Sequence, residues 1–260
     1  MMRVVKIGGR AQGDPRLGPA LAAAARATGS SAASLCVVHG GGDEVSALQR
    51  RLGLEPVFSG GRRVTSEADL EIVRMVLSGT INKRLTAMLL SHGVRAVGIS
   101  GEDAMLFRAH ATDAKMGRVG GAVTVDPAIV LQLIAGGFVP VISPLARDAG
   151  DTGTAGSGLN VNGDDAAAAL AGALAADELV LVADVPGVLD DGNVIPSLDL
   201  EQSEALIASG VAAGGMAAKL QAAGAALHAG VKRVRIAGLD AIGNPDAGTR
   251  VVISEKPSAV

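Results

Sequence analysis

The stretch Arg3-Val4-Val5-Lys6-Ile7-Gly8-Gly9 ends an apolar β-branched run in a lysine, an isoleucine and two glycines. A buried strand that ends in glycines leaves bare backbone N–H groups where a helix should begin, which is the start of an anion site with an ammonium group beside it. Read by itself, the stretch also fits an ordinary first strand and a tight turn. A second apolar run, Leu35-Cys36-Val37-Val38, is followed by His39-Gly40-Gly41-Gly42-Asp43, where three glycines let the backbone approach something closely. His39 is either a base or a hydrogen-bonded structural residue.

Two further segments carry charge. Leu159-Asn160-Val161-Asn162-Gly163-Asp164-Asp165 opens an alanine-rich stretch. One of its Asn or Asp side chains serves as an N-cap, but two of each is more polarity than a cap needs. A carboxylate placed there can hold two ammonium groups, and an Asn can hydrogen-bond a substrate carboxylate. Gly214-Gly215-Met216-Ala217-Ala218-Lys219 opens another helix with a lysine in its first turn, where it opposes the helix dipole. That lysine is either a solvated surface group or shares an anion with the helix start. Gly248-Thr249-Arg250, before a terminal strand over 251–253, is a turn whose amides could reach a nucleotide.

The elements that position these groups alternate. Strands are expected at Val4–Ile7, Leu35–Val38, Ala96–Ile99, Val139–Ile142, Leu179–Ala183 and Val234–Ala237, apolar on both faces as strands covered on both sides are. Helices are expected at Leu17–Thr28, Glu44–Leu52, Ser66–His92, Pro127–Ala135, Asp164–Ala175, Gln202–Ser209 and Met216–Ala229. Thr65 or Ser66 can cap the long one, and Gly79 inside it marks a break or a close contact. The alternation predicts an α/β fold, a three-layer αβα sandwich with a mainly parallel central sheet in two lobes, 1–176 and 177–260. Gly101–Pro127 and Val185–Pro196 read as antiparallel excursions, the second with an Asp191-Gly192 hairpin turn. Asp148–Gly158 has four glycines and no apolar periodicity, and is expected to be a mobile loop.

Composition narrows the function classes. The chain has 260 residues, 48% of them hydrophobic, with no Trp or Tyr and only three Phe, so the core must be aliphatic. Its 36 glycines suit many strand-to-helix turns. A net charge of −3 gives no nucleic-acid footprint. The single cysteine, Cys36, excludes an internal disulfide and sits in an apolar run as a structural thiol. With no signal peptide and no apolar run of membrane-spanning length, a cytoplasmic protein is expected. The dinucleotide G-x-G-x-x-G fingerprint, the Walker A loop, zinc spacing and a serine-hydrolase elbow are all absent from the sequence.

Taken in order, the segments resemble the amino acid kinase family, and within it the N-acetylglutamate kinase branch. The resemblance rests on Lys6-Ile7-Gly8-Gly9, Val38-His39-Gly40-Gly41-Gly42, Gly61-Arg62-Arg63-Val64-Thr65 and Met75-Val76-Leu77-Ser78-Gly79 with Asn82-Lys83. It continues through Asn160-Val161-Asn162-Gly163-Asp164, Asp184-Val185-Pro186-Gly187-Val188-Leu189, and Gly215-Met216 with Lys219. It implies an N-terminal lobe for the acyl amino acid, a C-terminal lobe for ATP, and γ-phosphoryl transfer to a side-chain carboxylate of N-acetyl-L-glutamate. Lys6 and Lys219 would neutralise the transferring phosphoryl group and Asp164 would orient them. Gly8, Gly9 and Gly41 would offer N–H groups to phosphate oxygens. Gly41, Gly42, Arg63 and Asn160 would hold the substrate, with Arg63 forking onto its α-carboxylate. Asp184 to Leu189 and the backbone of Val211, Ala212 and Ala213 would contact ATP. Mg²⁺ would be held by nucleotide phosphates and water, with no protein metal site.

The resemblance also implies a homodimer with no nucleic-acid or membrane partner, and no arginine feedback, because the chain starts at its first strand. Three departures from the family pattern stand out. Glu102 reverses a lysine's charge, Gly163 replaces an alanine, and the Asp148–Gly158 loop is long and glycine-rich, which bears on substrate preference. The alternatives are a kinase for N-succinylglutamate or for carrier-bound aminoadipate or glutamate, and a non-catalytic nucleotide or amino-acid sensor.

Overall fold

Eight strands form one sheet: β1 (Arg3–Ile7), β2 (Leu35–His39), β3 (Ala96–Ser100), β4 (Val139–Ser143), β5 (Glu178–Val182), β6 (Ser197–Asp199), β7 (Arg233–Ala237) and β8 (Thr249–Val252). Their order is β6-β8-β7-β5-β1-β2-β4-β3, and every neighbouring pair is parallel except β7 with β8. A computed structural model describes residues 1–27, 35–150 and 157–254 of the chain. The sheet runs without interruption across residues 176 and 177, because β1 pairs with β5.

Alternation along each strand divides the core into two. Val5, Ile7, Leu35, Val37, Val141, Val180 and Val182 face one layer of helices, namely α1 (Leu17–Ala27), α2 (Gly42–Arg51), α3 (Glu67–Arg74) and α4 (Asn82–Ser91). Val4, Cys36, Val38, Ile142, Leu179 and Leu181 face the other, built from α5 (Ala128–Ala135), α6 (Gly163–Ala173), α7 (Leu200–Ala208) and α8 (Gly215–His228). The fold is therefore the three-layer sandwich expected. Small residues substitute for the missing aromatics: a Cβ at Gly172 would lie 2.6 Å from Ala229 Cβ, so the ends of α6 and α8 meet almost backbone to backbone. Burial pushes the Cys36 thiol up to about 12, as befits a structural thiol.

The long helix differs from expectation at Gly79. Ser66 caps it through a capping box with Asp69, and the helix then passes from α3 to α4 through a π-helical stretch over Met75–Ile81. Gly79 neither breaks it nor packs closely, since no atom beyond its chain neighbours and its own helix backbone lies within 4 Å of where its Cβ would be. The widened turn instead lets Ser78 Oγ meet Ser143 Oγ at 2.8 Å. The Asp191-Gly192 hairpin forms as expected, between Leu189–Asp190 and Asn193–Val194, with φ positive at both turn residues.

The expected Asp148–Gly158 loop is shorter than drawn. Leu145–Asp148 pairs antiparallel with Gly158–Asn160, so both ends of the segment belong to a small sheet with Phe107–Ala109 and Thr124–Val125. Residues 151–156 of that segment, and Thr28 at the end of the first helix, lie outside the described residues. A further hairpin, Phe58–Ser59 with Arg62–Arg63, carries Arg63 to the site.

Candidate functional site

Parallel pairing of β1 with β2 and β5 brings their carboxyl ends to one edge, where open α/β sheets bind ligands. The Gly8-Gly9 and Gly40–Gly42 turns touch there: a Cβ at Gly9 would lie 3.7 Å from Gly41 Cα. A Cβ at Gly41 would lie 2.1 Å from Ile81 Cδ1 and 2.9 Å from Leu77 Cδ2, so a side chain there requires both neighbours to move.

Lys6 stands on the same face of β1 as Val4, toward α6. Asn162 caps α6 by accepting from the N–H groups of Asp164 and Asp165, which frees the Asp164 carboxylate. Lys219 reaches across from α8. Asp164 Oδ1 lies 2.8 Å from Lys6 Nζ, and its Oδ2 accepts a 3.2 Å hydrogen bond from Lys219 Nζ. Lys6 and Asp164 are buried at 7% and 4% exposure, so this is a desolvated cation–anion–cation array carrying one uncompensated positive charge. Burial alone would raise the Asp164 carboxyl, but the charges of Lys6 and Lys219 win and hold it below its usual range. Burial and the neighbouring Lys6 charge lower Lys219, with Asp164 opposing. Two ammonium groups held in place with one surplus charge suit an anion such as a transferring phosphoryl group. Gly163 gives this array room: a Cβ there would lie 3.3 Å from Lys6 Cε.

Beside the array is a cleft of about 210 Å³ lined by Gly41, Gly42, Arg63, Asn160 and Gly163 among others. That is small against the roughly 300–1,000 Å³ of drug-sized pockets and suits a small metabolite. Arg63 is buried, its guanidinium 4.7 Å over the Phe58 ring. Its Nη2 donates to Gly42 O at 2.8 Å and Ser46 Oγ at 2.7 Å, and its Nη1 to Gln49 Oε1. One Nη1 proton and Nε remain for a ligand. Asn160 Nδ2 donates to Thr65 Oγ1, which donates to Arg63 O, so the two cleft residues are tied together. Arg62, also lining the cleft, pairs with Asp165 at 2.8 Å. Burial raises the Asp165 carboxyl, with the Arg62 charge opposing.

The segment that follows β5 lies at the same edge. Asp184 is 3.4 Å from Arg10, the residue after Gly9. Pro186 and Gly248 line a cavity of about 340 Å³ with Val194 and Gly238. The amides of Val188 and Ala212 are committed to Thr249 Oγ1 and Leu206 O. Those two residues can meet a ligand through other atoms only. Val185, Gly187 and Leu189 continue the segment, Val211 is exposed, and Ala213 O accepts from Met216 N. Glu102 is engaged by Arg74 at 2.7 Å, so the charge reversal serves an internal ion pair. Among the described residues no group of three or more His, Cys, Asp or Glu could hold a metal, and no helix is long and apolar enough to cross a membrane.

His39 is the residue whose role the sequence left open. It is fully buried, burial pulls it down to about 4, and it therefore stays neutral. Both ring nitrogens are hydrogen-bonded, which leaves no face for a substrate. The pairing of Gln12 with the Gly40 carbonyl had no sequence signal beyond a polar residue after the first glycine turn.

Residues 1–238 match the amino acid kinase family. Acetylglutamate kinase of Chloroflexus aurantiacus is 46% identical over 255 residues, covering 97% of each chain. That of Chloroflexus aggregans is 41% identical over 258 residues, 98% of each. Among solved structures, smu.665 from Streptococcus mutans superposes with a TM-score of 0.86 at 28% identity, over 97% of this chain and 99% of that one. N-acetylglutamate synthase from Neisseria gonorrhoeae, complexed with coenzyme A and N-acetyl-glutamate, gives 0.79 at 25% identity over 98% of this chain and 60% of that one.

Proposed function

The chain belongs to the amino acid kinase family, and from that premise we propose that it transfers the γ-phosphoryl group of ATP to the side-chain carboxylate of N-acetyl-L-glutamate. The observation that carries the reading is Asp164 holding both Lys6 and Lys219 at the edge where the glycine turns meet. A carboxylate is already a nucleophile at neutral pH, so no general base is needed. The barrier is electrostatic, two anions brought together, and fixed cations with oriented amides lower it.

In this reading a carboxylate oxygen attacks the γ-phosphorus and forms the acyl phosphate, while the bond to the β-phosphate oxygen breaks and ADP leaves with the electron pair. Lys6 and Lys219 meet the charge on the transferring group, and Gly8, Gly9 and Gly41 lend amides. Arg63 takes the α-carboxylate with its remaining donors, and Gly41, Gly42 and Asn160 complete the acceptor cleft in residues 1–176. ATP lies along Asp184–Leu189 and Val211–Ala213 in residues 177–260. Mg²⁺ accompanying ATP would supply further neutralisation of phosphate charge, beside that of Lys6 and Lys219. The product is an activated acid of the kind arginine biosynthesis uses, made in the cytoplasm where ATP is supplied.

The protein works as a homodimer in this account. Leu90 on α4 and Leu131 on α5, exposed on opposite faces at the β3 end of the sheet, support that assignment. Sedimentation at micromolar concentration checks it: a dimer supports it and a monomer rejects it. The reaction itself is tested by trapping the acyl phosphate with hydroxylamine, using N-acetylglutamate, N-succinylglutamate and carrier-bound glutamate or aminoadipate. Hydroxamate with N-acetylglutamate above the other acceptors supports the reading. Hydroxamate with another acceptor alone moves the substrate, and none with any acceptor leaves a sensor.

A further inference from the structure

The Gly40 carbonyl is gripped by two side chains. His39 Nδ1 lies 3.0 Å from it and Gln12 Nε2 donates to it at 2.8 Å. A carbonyl only accepts, so Nδ1 carries the imidazole proton and Nε2 is the acceptor. Asn82 meets that Nε2 through its Nδ2 at 3.2 Å. The Asn82 amide is itself oriented, since Nδ2 faces Val141 O and Ile99 O while Lys83 Nζ donates to its Oδ1. On the other arm, Arg84 places Nη2 3.5 Å from Gln12 Oε1 and forks onto Glu44. His39 and Asn82 have no exposure at all.

The direction of the grip is what matters. His39 follows Val37 on the strand face toward α1–α4, so the Gly40 carbonyl is drawn to that side. In a trans peptide the next N–H points opposite to the carbonyl, and no cis bond occurs among the described residues. The Gly41 N–H is therefore turned away from α1–α4, toward the face of β1 that carries Lys6. Among the described residues it also has no backbone acceptor.

We propose that His39 and Gln12, backed by Asn82 and Arg84, are positioning residues that aim the Gly41 amide at the phosphoryl group being transferred. The proposal rests on the kinase reading above. It gives His39 a task that needs its Nδ1 proton and no titration. Losing one oxyanion donor outright costs about 10²–10³ in turnover, and misaiming it costs less.

The test compares Gln12→Met, His39→Gln and His39→Asn in the full chain. An Asn side chain places its amide near the imidazole Nδ1 and keeps the donor, whereas Gln reaches toward the Nε2 position and loses it. The expected result is a fall in kcat of about tenfold for Gln12→Met and for His39→Gln, with KM for the acceptor unchanged within about twofold and His39→Asn largely preserved. Unchanged kcat in Gln12→Met and His39→Gln overturns the proposal. So does equal damage by His39→Gln and His39→Asn, which would mean that His39 acts by bulk. If the wild-type protein phosphorylates no acceptor, the kinase reading has failed separately. The Gly41 amide resonance in a ¹H–¹⁵N spectrum of the ligand-free protein then decides: displaced in Gln12→Met and His39→Gln but held in His39→Asn supports the proposal, and any other pattern overturns it.

Discussion

Lys6 Nζ lies 2.8 Å from Asp164 Oδ1, a buried ion pair at hydrogen-bond distance. Lys219 Nζ donates to the other carboxylate oxygen, Asp164 Oδ2, at 3.2 Å. One carboxylate therefore holds both ammonium groups, and each keeps further protons for an incoming phosphate oxygen.

On the proposed function, removing either lysine removes charge from the transferring group and leaves Asp164 with one cation in place of two. Lys6→Ala and Lys219→Ala are each expected to lower kcat by about 10² or more with KM for the acceptor changed severalfold at most. Steady-state kinetics on both variants, with circular dichroism to verify folding, checks this. Turnover within about threefold of wild type removes that lysine from the mechanism.

Asp164→Asn leaves two buried ammonium groups facing each other. Breaking a buried ion pair by deleting one partner typically costs about 3–5 kcal/mol, and here one anion serves two cations. The variant is expected to melt well below wild type and to gain more from Mg–ATP or pyrophosphate than wild type does, because an added anion replaces the missing charge. A melting temperature equal to wild type, or no extra gain from anions, contradicts the array described here.

Much of the frame was legible in the chain because its six main strands are apolar on both faces, as covered parallel strands must be. Several of the short strands were not. Phe58–Ser59, Arg62–Arg63 and Ser197–Asp199 carry no periodicity of their own and exist because a partner strand lies beside them. Leu145–Asp148 and Gly158–Asn160, which flank a glycine-rich segment, were missed for the same reason. Gly79 misled because a π-helical turn absorbs it without a break. At the site, Lys219 and Asp164 stand 55 residues apart, and only motifs taken together joined them. The Gln12–Gly40–His39–Asn82 contacts were invisible, since buried polar pairs between distant segments follow from the packed fold and from no local pattern.

Arg63 is already anchored by Gly42 O, Ser46 and Gln49, so its fork is pre-organised and only part of it is left for substrate. Lysine cannot reproduce both halves of that geometry. Arg63→Lys is expected to raise KM for the acylated amino acid more than about tenfold while kcat falls far less. Equal KM values for the variant and wild type reject Arg63 as the carboxylate anchor.

His39 also sets a pH dependence of stability. Its folded value is about 4 against an ordinary 6.5, so the unfolded chain binds a proton first as pH falls. Stability is therefore full above pH 6.5, declines between 6.5 and 4, and at pH 5 is lower by about 2 kcal/mol from this group. For a chain of this size that is a drop of roughly 4–8 °C in Tm between pH 7 and pH 5. Asp164, held low, contributes stability that is lost only at more acid pH, as the pH falls through its folded value. Thermal melts of wild type and His39→Asn across this range test the assignment: the variant should lose most of the slope, and an identical slope contradicts it.

The central claim is that Lys6 and Lys219 converge on one transferring phosphoryl group. It is met most directly by a crystal structure with Mg–ADP, aluminium fluoride and N-acetylglutamate. The expected result places both Nζ atoms within about 3.2 Å of the aluminium fluoride, with Asp164 still bridging them. A planar fluoride seated at the glycine turns with either lysine pointing elsewhere contradicts the account.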